Sequence, residues 1–193
     1  MTGPTSSTSL FWDSCVVIRY LTGTPLGHHA DIDLFLSEAM QSKRTIYVSS
    51  MMVPEVKPHQ LRLQGFNNFQ DLVNAYQGAF TIINPNMNIL MQAARLRDYS
   101  YYPEKMQKNE KKRVLAGMDS VHLATCLYVR DVLGVQDIVF HTFDDGKGKN
   151  YEEKAVSLLN YQNFCKHLSN DPDVLAVCAL PRQRPVHPER PLL

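Results

Sequence analysis

The sequence predicts an α/β fold, a single domain built on a central, mostly parallel sheet with helices on both faces, and three observations lead to it. Short β-branched or aromatic runs alternate with stretches of helical apolar spacing along most of the chain. The stretch from Met118 to Leu133 is apolar nearly all round, as a helix covered on two sides would be. Acids follow the apolar runs, where open parallel sheets gather their ligands.

Leu10 to Trp12 read as a strand, and Asp13-Ser14 as the cap of a helix that carries Val16, Val17, Ile18, Tyr20 and Leu21 and ends near Gly23. From Ala30 to Met40 the apolar residues recur at helical spacing, and Thr45 to Val48 follow as a second strand. Ser49-Ser50 can cap a helix carrying Pro54 and Glu55, which Pro58 must shorten or bend. Phe66 to Tyr76 is amphipathic, Phe80 to Ile83 is a strand ending at Asn84-Pro85, and Ile89 to Leu96 resumes helical periodicity. After the long helix, Ile138 to Phe140 form a strand that runs into His141-Thr142-Phe143-Asp144-Asp145-Gly146. Tyr151 to His167 reads as a final amphipathic helix and Val174 to Leu180 as a final apolar strand. No internal repeat interrupts this order.

With 193 residues, 44% of them hydrophobic and 20% charged, the chain can bury one core, expected over residues 8–180, with Pro181 to Leu193 a loose Pro/Arg-rich tail. Twenty Lys and Arg against 19 Asp and Glu leave a formal charge of +1, so any nucleic-acid-binding surface must be local. Cys15, Cys126, Cys165 and Cys178 lie far apart in apolar contexts and read as reduced core residues, neither a zinc pair nor a disulfide framework. The first residues lack a basic start, and no run approaches the roughly 20 apolar residues that span a bilayer, so a soluble, cytoplasmic protein with no membrane partner is expected.

The chemistry rests on Asp13, Glu55, Asp119 and Asp144. Asp13 follows the first strand, Glu55 the second and Asp144 a later one, while Asp119 opens the long helix, so all can converge on one edge of the sheet. Such a set would repel itself unless a cation sat among the carboxylates. Oxygen-only sites suit Mg²⁺ or Mn²⁺, and in-line phosphoryl displacement is the chemistry these ions serve best. Three of the acids also have a plainer reading: Asp13 as an N-cap, Glu55 as a solvated residue, Asp119 as a first-turn acid favoured by the helix dipole. Together the four favour function.

The segments LFWDSCVVIRYLTG, YVSSMMVPEV, MDSVHLATCLYV and VFHTFDDG, in this order, resemble the motifs of PIN domains, in particular the VapC-like toxins. The resemblance implies an Mg²⁺- or Mn²⁺-dependent endoribonuclease with Asp13, Glu55, Asp119 and Asp144 as metal-holding catalytic acids, supported by Ser14 and Thr142. It also implies the toxin of a toxin–antitoxin pair, with an antitoxin protein as partner; RNA is the substrate, and a homodimer is a further expectation. The prolines beside Glu55, the Tyr- and Lys-rich stretch before Asp119 and the C-terminal tail depart from the family pattern.

Asp145 is either a supporting ligand or, the preferred reading, the turn residue of Asp-Gly. His122, one turn after Asp119, could contact substrate or a ligand carboxylate but reads first as a buried, hydrogen-bonded histidine. Lys105, Lys108, Lys111, Lys112 and Arg113 form either a solvated face or a contact surface for RNA backbone or a partner. Gly146-Lys147-Gly148-Lys149 lacks the spacing of a phosphate loop. Two rivals remain: a catalytically silent PIN-fold module that binds RNA or protein, and a response-regulator-like phosphoacceptor. The latter would need an Asp where Asn84 stands and a Lys after the last strand.

Overall fold

In the computed structural model the described residues are 8–23, 28–103, 112–146 and 155–189. They form an α/β fold whose five strands, β1 (Leu10–Trp12), β2 (Ile46–Ser49), β3 (Phe80–Ile83), β4 (Val139–His141) and β5 (Arg182–Gln183), lie in the order β3-β2-β1-β4-β5. Every pairing is parallel, with Trp12 opposite Val48 on one side and His141 on the other. The chain winds outward from β1 to β3, then returns to lay β4 on the free side of β1. The boundary between β1 and β4 is therefore the switch point of the sheet, where the carboxyl ends of neighbouring strands diverge into a crevice.

Side chains alternate across the strands, and the two resulting surfaces are both covered. Leu10, Trp12, Ile46 and Val48 face a core with α1 (Ser14–Thr22), α2 (His29–Met40), α3 (Pro58–Leu63) and α4 (Phe69–Ala75). Phe11 and Phe140, whose rings stack at 5.5 Å, face the other core with α5 (Met87–Asp98), α6 (Gly117–Asp131) and α7 (Pro172–Cys178). Burial on both faces explains why Leu10-Phe11-Trp12 is uninterruptedly apolar. On α6, residues Ser120 to Leu127 are all buried, so it is the covered helix that its composition predicts.

Local chemistry sets the element ends. The side chain of Asp13 caps α1, and Gly23, at φ 59, closes it with its N–H on the carbonyls of Arg19 and Tyr20. Asn68 and Asn86 cap α4 and α5 by accepting from the backbone N–H of Asp71 and Ile89.

Four expectations are corrected. Pro58 does not bend a helix through Glu55. Ser49 caps a 3-10 turn over Ser50–Met52, Glu55 lies in the turn that follows, and Pro58 is the first residue of α3, where its missing N–H costs nothing. Val174–Leu180 is no strand: Asp171 caps and Pro172 opens α7, which buries Val174 and Val177 and exposes Leu175, a helical rather than alternating pattern. The amphipathic helix expected over Tyr151–His167 falls partly outside the described residues. From Ala155 onward there is instead a bridge to Val114, a turn, and 3-10 turns at Tyr161–Phe164 and Lys166–Leu168.

The fourth correction concerns the segment after Leu180, which is not loose through Glu189. Pro181 and Gln183 accept from Phe140 N (2.8 Å) and Thr142 N (3.0 Å), extending the sheet past β4. The chain then crosses to α2, where buried His187 donates its backbone N–H to the buried Asp31 carboxylate at 3.0 Å and its ring meets Phe35. Truncation after Leu180 should therefore lower stability by at least about 2 kcal/mol, since it strips the buried N–H groups of Phe140 and Thr142 of their acceptors and removes one donor from the buried Asp31 carboxylate. Urea unfolding of the full and shortened chains measures this, and equal midpoints would mean that the segment contributes nothing.

Candidate functional site

The carboxyl ends of β1 and β4 build the centre of the site. Asp13 leaves β1 with its own N–H on the His141 carbonyl (3.1 Å), and the residue is 3% exposed. Its Oδ1 accepts from Ser14 N at 2.8 Å, with the Ser14 hydroxyl at 3.5 Å. Its Oδ2 accepts from the Cys15 thiol at 2.9 Å and from the Thr142 hydroxyl at 2.8 Å. Thr142 Oγ1 accepts in turn from Asp144 N (3.1 Å), and Phe143 N donates to Cys15 Sγ (3.1 Å), so the first acid is tied to the strand that delivers the fourth. Burial, reinforced by the negative charge of Asp13, pushes the Cys15 thiol well up, so it remains a protonated donor. Asp13 is thus both helix cap and site residue.

Asp144 is anchored by backbone. Its Oδ1 accepts from Gly146 N (2.9 Å) and its Oδ2 from Leu158 N (2.8 Å), while its carbonyl accepts from Ser157 Oγ and Leu159 N, each at 3.0 Å. The Asp-Gly turn is real: Gly146 adopts φ 73, and an added Cβ would stand 3.0 Å from Ser157 Cβ. Burial raises the Asp144 pKa, the charges of Asp13 and Asp145 add to this, and the two backbone N–H groups only partly offset it.

Glu55, in the turn after β2, sets its Oε2 2.6 Å from Nε2 of fully buried His122; the same nitrogen is 3.9 Å from Asp13 Oδ1. Burial is the largest influence on His122 and opposes its charge. The Glu55 hydrogen bond and the charges of Asp13, Glu55 and Asp119 together outweigh it, and the imidazole pKa rises. His122 Nδ1 is buried without a partner among the described residues.

Asp119, in the first turn of α6, is half-buried. Its carboxyl is pushed up to about 8, first by burial, then by the charges of Asp13, Asp144 and Glu55, against which only His122 acts. Asp13 is linked to Glu55 through His122 and to Asp144 through Thr142, and Asp119 feels the charge of all three.

This donor set is carboxylate oxygen, the chemistry that Mg²⁺ and Mn²⁺ prefer. As the side chains stand, however, no group of three or more His, Cys, Asp or Glu among the described residues is gathered closely enough to hold an ion. Asp13, Asp144 and Glu55 each rest on protein donors instead. The fit is in donor type and in place, not in a formed coordination shell.

The other expected residues divide. Ser14 and Thr142 stand beside Asp13. Asp145 accepts from Arg184 Nη2 at 2.8 Å. Lys105, Lys108 and Lys111 lie outside the described residues, Lys112 is exposed, and Arg113 is bridged to Tyr101 with its guanidinium 5.9 Å from the Phe164 ring centre. Sequence reasoning missed Cys15 as a donor to Asp13 and Leu158 as a clamp on Asp144. A thiol two residues after a capping Asp was a usable signal; nothing in the local sequence marks Leu158. Among the described residues no helix is long and apolar enough to cross a membrane. Comparison with protein-family models, with curated proteins and with solved structures finds no match.

The raised Asp119 pKa carries a sign. An unfolded Asp titrates at about 4, so between about pH 4 and 8 the folded protein holds a proton that the unfolded chain has released, and stability falls as pH rises. Asp119→Asn lacks this loss. In chelator-containing buffer the melting temperature of the wild type should drop relative to the variant from pH 4 to 8; a constant gap would remove Asp119 from the cluster.

Proposed function

We propose that this chain is a PIN-like, metal-dependent endoribonuclease that hydrolyses RNA phosphodiester bonds at the edge where Asp13, Glu55, Asp119 and Asp144 meet. The observation that carries the reading is the linkage of Asp13 to Glu55 through His122 and to Asp144 through Thr142 at the switch point of a parallel sheet, beside Asp119, whose proton affinity is raised first by burial and then by the charges of these acids. Such a cluster destabilises the fold, and a cation-requiring activity gives it a reason to persist. The order of the four sequence motifs supports the same reading.

Asp13 and Asp119 would be the principal holders of Mg²⁺ or Mn²⁺, with Glu55 and Asp144 completing the set. When bound, such an ion supplies charge neutralisation at the phosphate and an activated water. The chain's own residues do the rest. Thr142 and Cys15 fix the rotamer of Asp13. His122 holds Glu55 beside the other acids and can take up a proton there. Arg97 lies against Gly117, 3.6 Å from where a Cβ at that position would stand, and offers a cation for the RNA backbone beside the start of α6. Lys112 is an exposed cation suited to the same role.

A free intracellular ribonuclease would need restraint. An antitoxin-like protein inhibitor and a homodimer belong to this proposal, as does a cytoplasmic location.

Incubation of the chain with mixed RNAs, with Mg²⁺ or Mn²⁺ and with chelator, tests the proposal. Cleavage should require the metal and fall about a thousandfold or more in Asp13→Asn and Asp119→Asn. Metal-dependent binding of RNA without cleavage would favour the silent binding module, and cleavage retained in both variants would sink the site.

A further inference from the structure

A polyanion brought to the carboxyl edge of the sheet meets the negative charge of the acids there, and α1 supplies a cation suited to offset it. Arg19, one turn after Cys15 on the same helix face, sets its guanidinium carbon 4.2 Å from the ring centre of Phe143, the residue between Thr142 and Asp144. The platform under it is held at several points. Phe143 N donates to Cys15 Sγ at 3.1 Å, the Cys15 thiol donates to Asp13 Oδ2 at 2.9 Å, and the Phe143 and His28 rings pack with centres 5.1 Å apart. His28 is fixed in turn by its Nδ1, 3.3 Å from Asp31 Oδ2.

Stacking on a ring engages the face of a guanidinium and leaves its rim of N–H groups, a fork that fits two phosphate oxygens. Among the described residues Arg19 stands in no ion pair and donates no side-chain hydrogen bond, although it is only partly exposed. The dipole of α1 favours a cation in its last turn, but it requires neither the ring nor the unpaired rim. A second arginine comes from the other side. Phe143 and α1 belong to the first core, whereas Arg97 follows Leu96 of the second and lies against Gly117, two residues before Asp119. Arg97 also lacks an ion pair and a side-chain hydrogen bond among the described residues. The acid-bearing edge is therefore flanked by arginines on helices that cover opposite faces of the sheet.

We infer that Arg19, stacked on Phe143, is a binding site for a phosphate of an RNA strand, on the other side of the acids from the backbone contact of Arg97. The cleavage step at the acids rests on the ribonuclease reading; the binding at Arg19 does not. A strand crossing the edge from α1 to α5 meets a cation before and after the acids, which offsets their repulsion and fixes the path of the backbone. Arg19 touches substrate away from the reacting atoms, so it governs affinity more than bond breaking.

Anisotropy of a labelled single-stranded RNA of mixed sequence, titrated in Mg²⁺ with the full chain carrying Asp119→Asn so that RNA is bound and not cut, tests the site. Adding Arg19→Gln should weaken binding about tenfold and reduce the slope of log affinity against log salt by about 0.7, the counterion release of one phosphate contact. Arg19→Lys should restore the slope but only part of the affinity, because lysine neither stacks nor forks. Lys43→Gln, which removes an exposed cation from the turn before β2 at the amino ends of the strands, should change the slope by less. With Asp119 intact, Arg19→Gln should act on the KM of cleavage more than on kcat. An unchanged slope in Arg19→Gln, or one altered no more than in Lys43→Gln, overturns the inference even where the wild type cleaves RNA, and so does absence of RNA binding by the parent chain. An Arg19-dependent slope without cleavage by the wild type removes the nuclease reading and leaves the phosphate site standing. Should Arg19→Gln not fold, Arg19→Lys decides, since full parental affinity in that variant rules out the stacked fork.

Discussion

The parallel pairing of β1 with β4 is the constraint on which the rest depends. These strands lie far apart in sequence, and their register sets Trp12 opposite His141. The next residues on each, Asp13 and Thr142, must therefore emerge side by side at the same edge, and the 2.8 Å bond between them is a consequence of that register. A slip of one residue would send the side chains of either strand to the opposite face and separate the pair. Stacking of Phe11 on Phe140 within the second core opposes such a slip.

Around this join the protein accepts an electrostatic conflict. Asp119, Asp144 and His122 all hold protons more tightly than they would in water, and burial is the largest influence at each, raising the two acids while opposing charge on the histidine. Imidazole and backbone N–H groups compensate in part, but the burial and mutual repulsion of these acids remain a source of instability that the two apolar cores must offset. Well-packed helices on both faces, and α6 buried almost throughout its length, provide that margin. Local rules are broken where charge is concentrated and kept elsewhere, the distribution expected when function rather than folding selects the residues.

Late parts of the chain hold early ones in place. Leu158 and Ser157 fasten Asp144, β5 caps the backbone of Phe140 and Thr142, and the segment beyond it reaches Asp31 on α2. The final residues of the described chain are in this respect part of the site's scaffold.

Much of this was legible in the sequence. Alternating runs specified the parallel sheet, and Asp13-Ser14, Gly23 and the apolar stretch after Asp119 specified two helices through caps and periodicity, which act over a few residues. Asp13 and Asp144 could be placed at the ends of their strands, and Asp119 at the start of its helix, because the type of each of those elements was clear. Where the sequence failed, the deciding contacts were distant. Valines in 174–180 suggested a strand although Asp171-Pro172 signals a helix start, and the two residues of β5 carry no pattern until β4 offers them an edge. That Glu55 faces His122 and Asp144 faces Leu158 followed only from folding, because a lone carboxylate is equally at ease in water and acquires a partner when tertiary packing takes the water away.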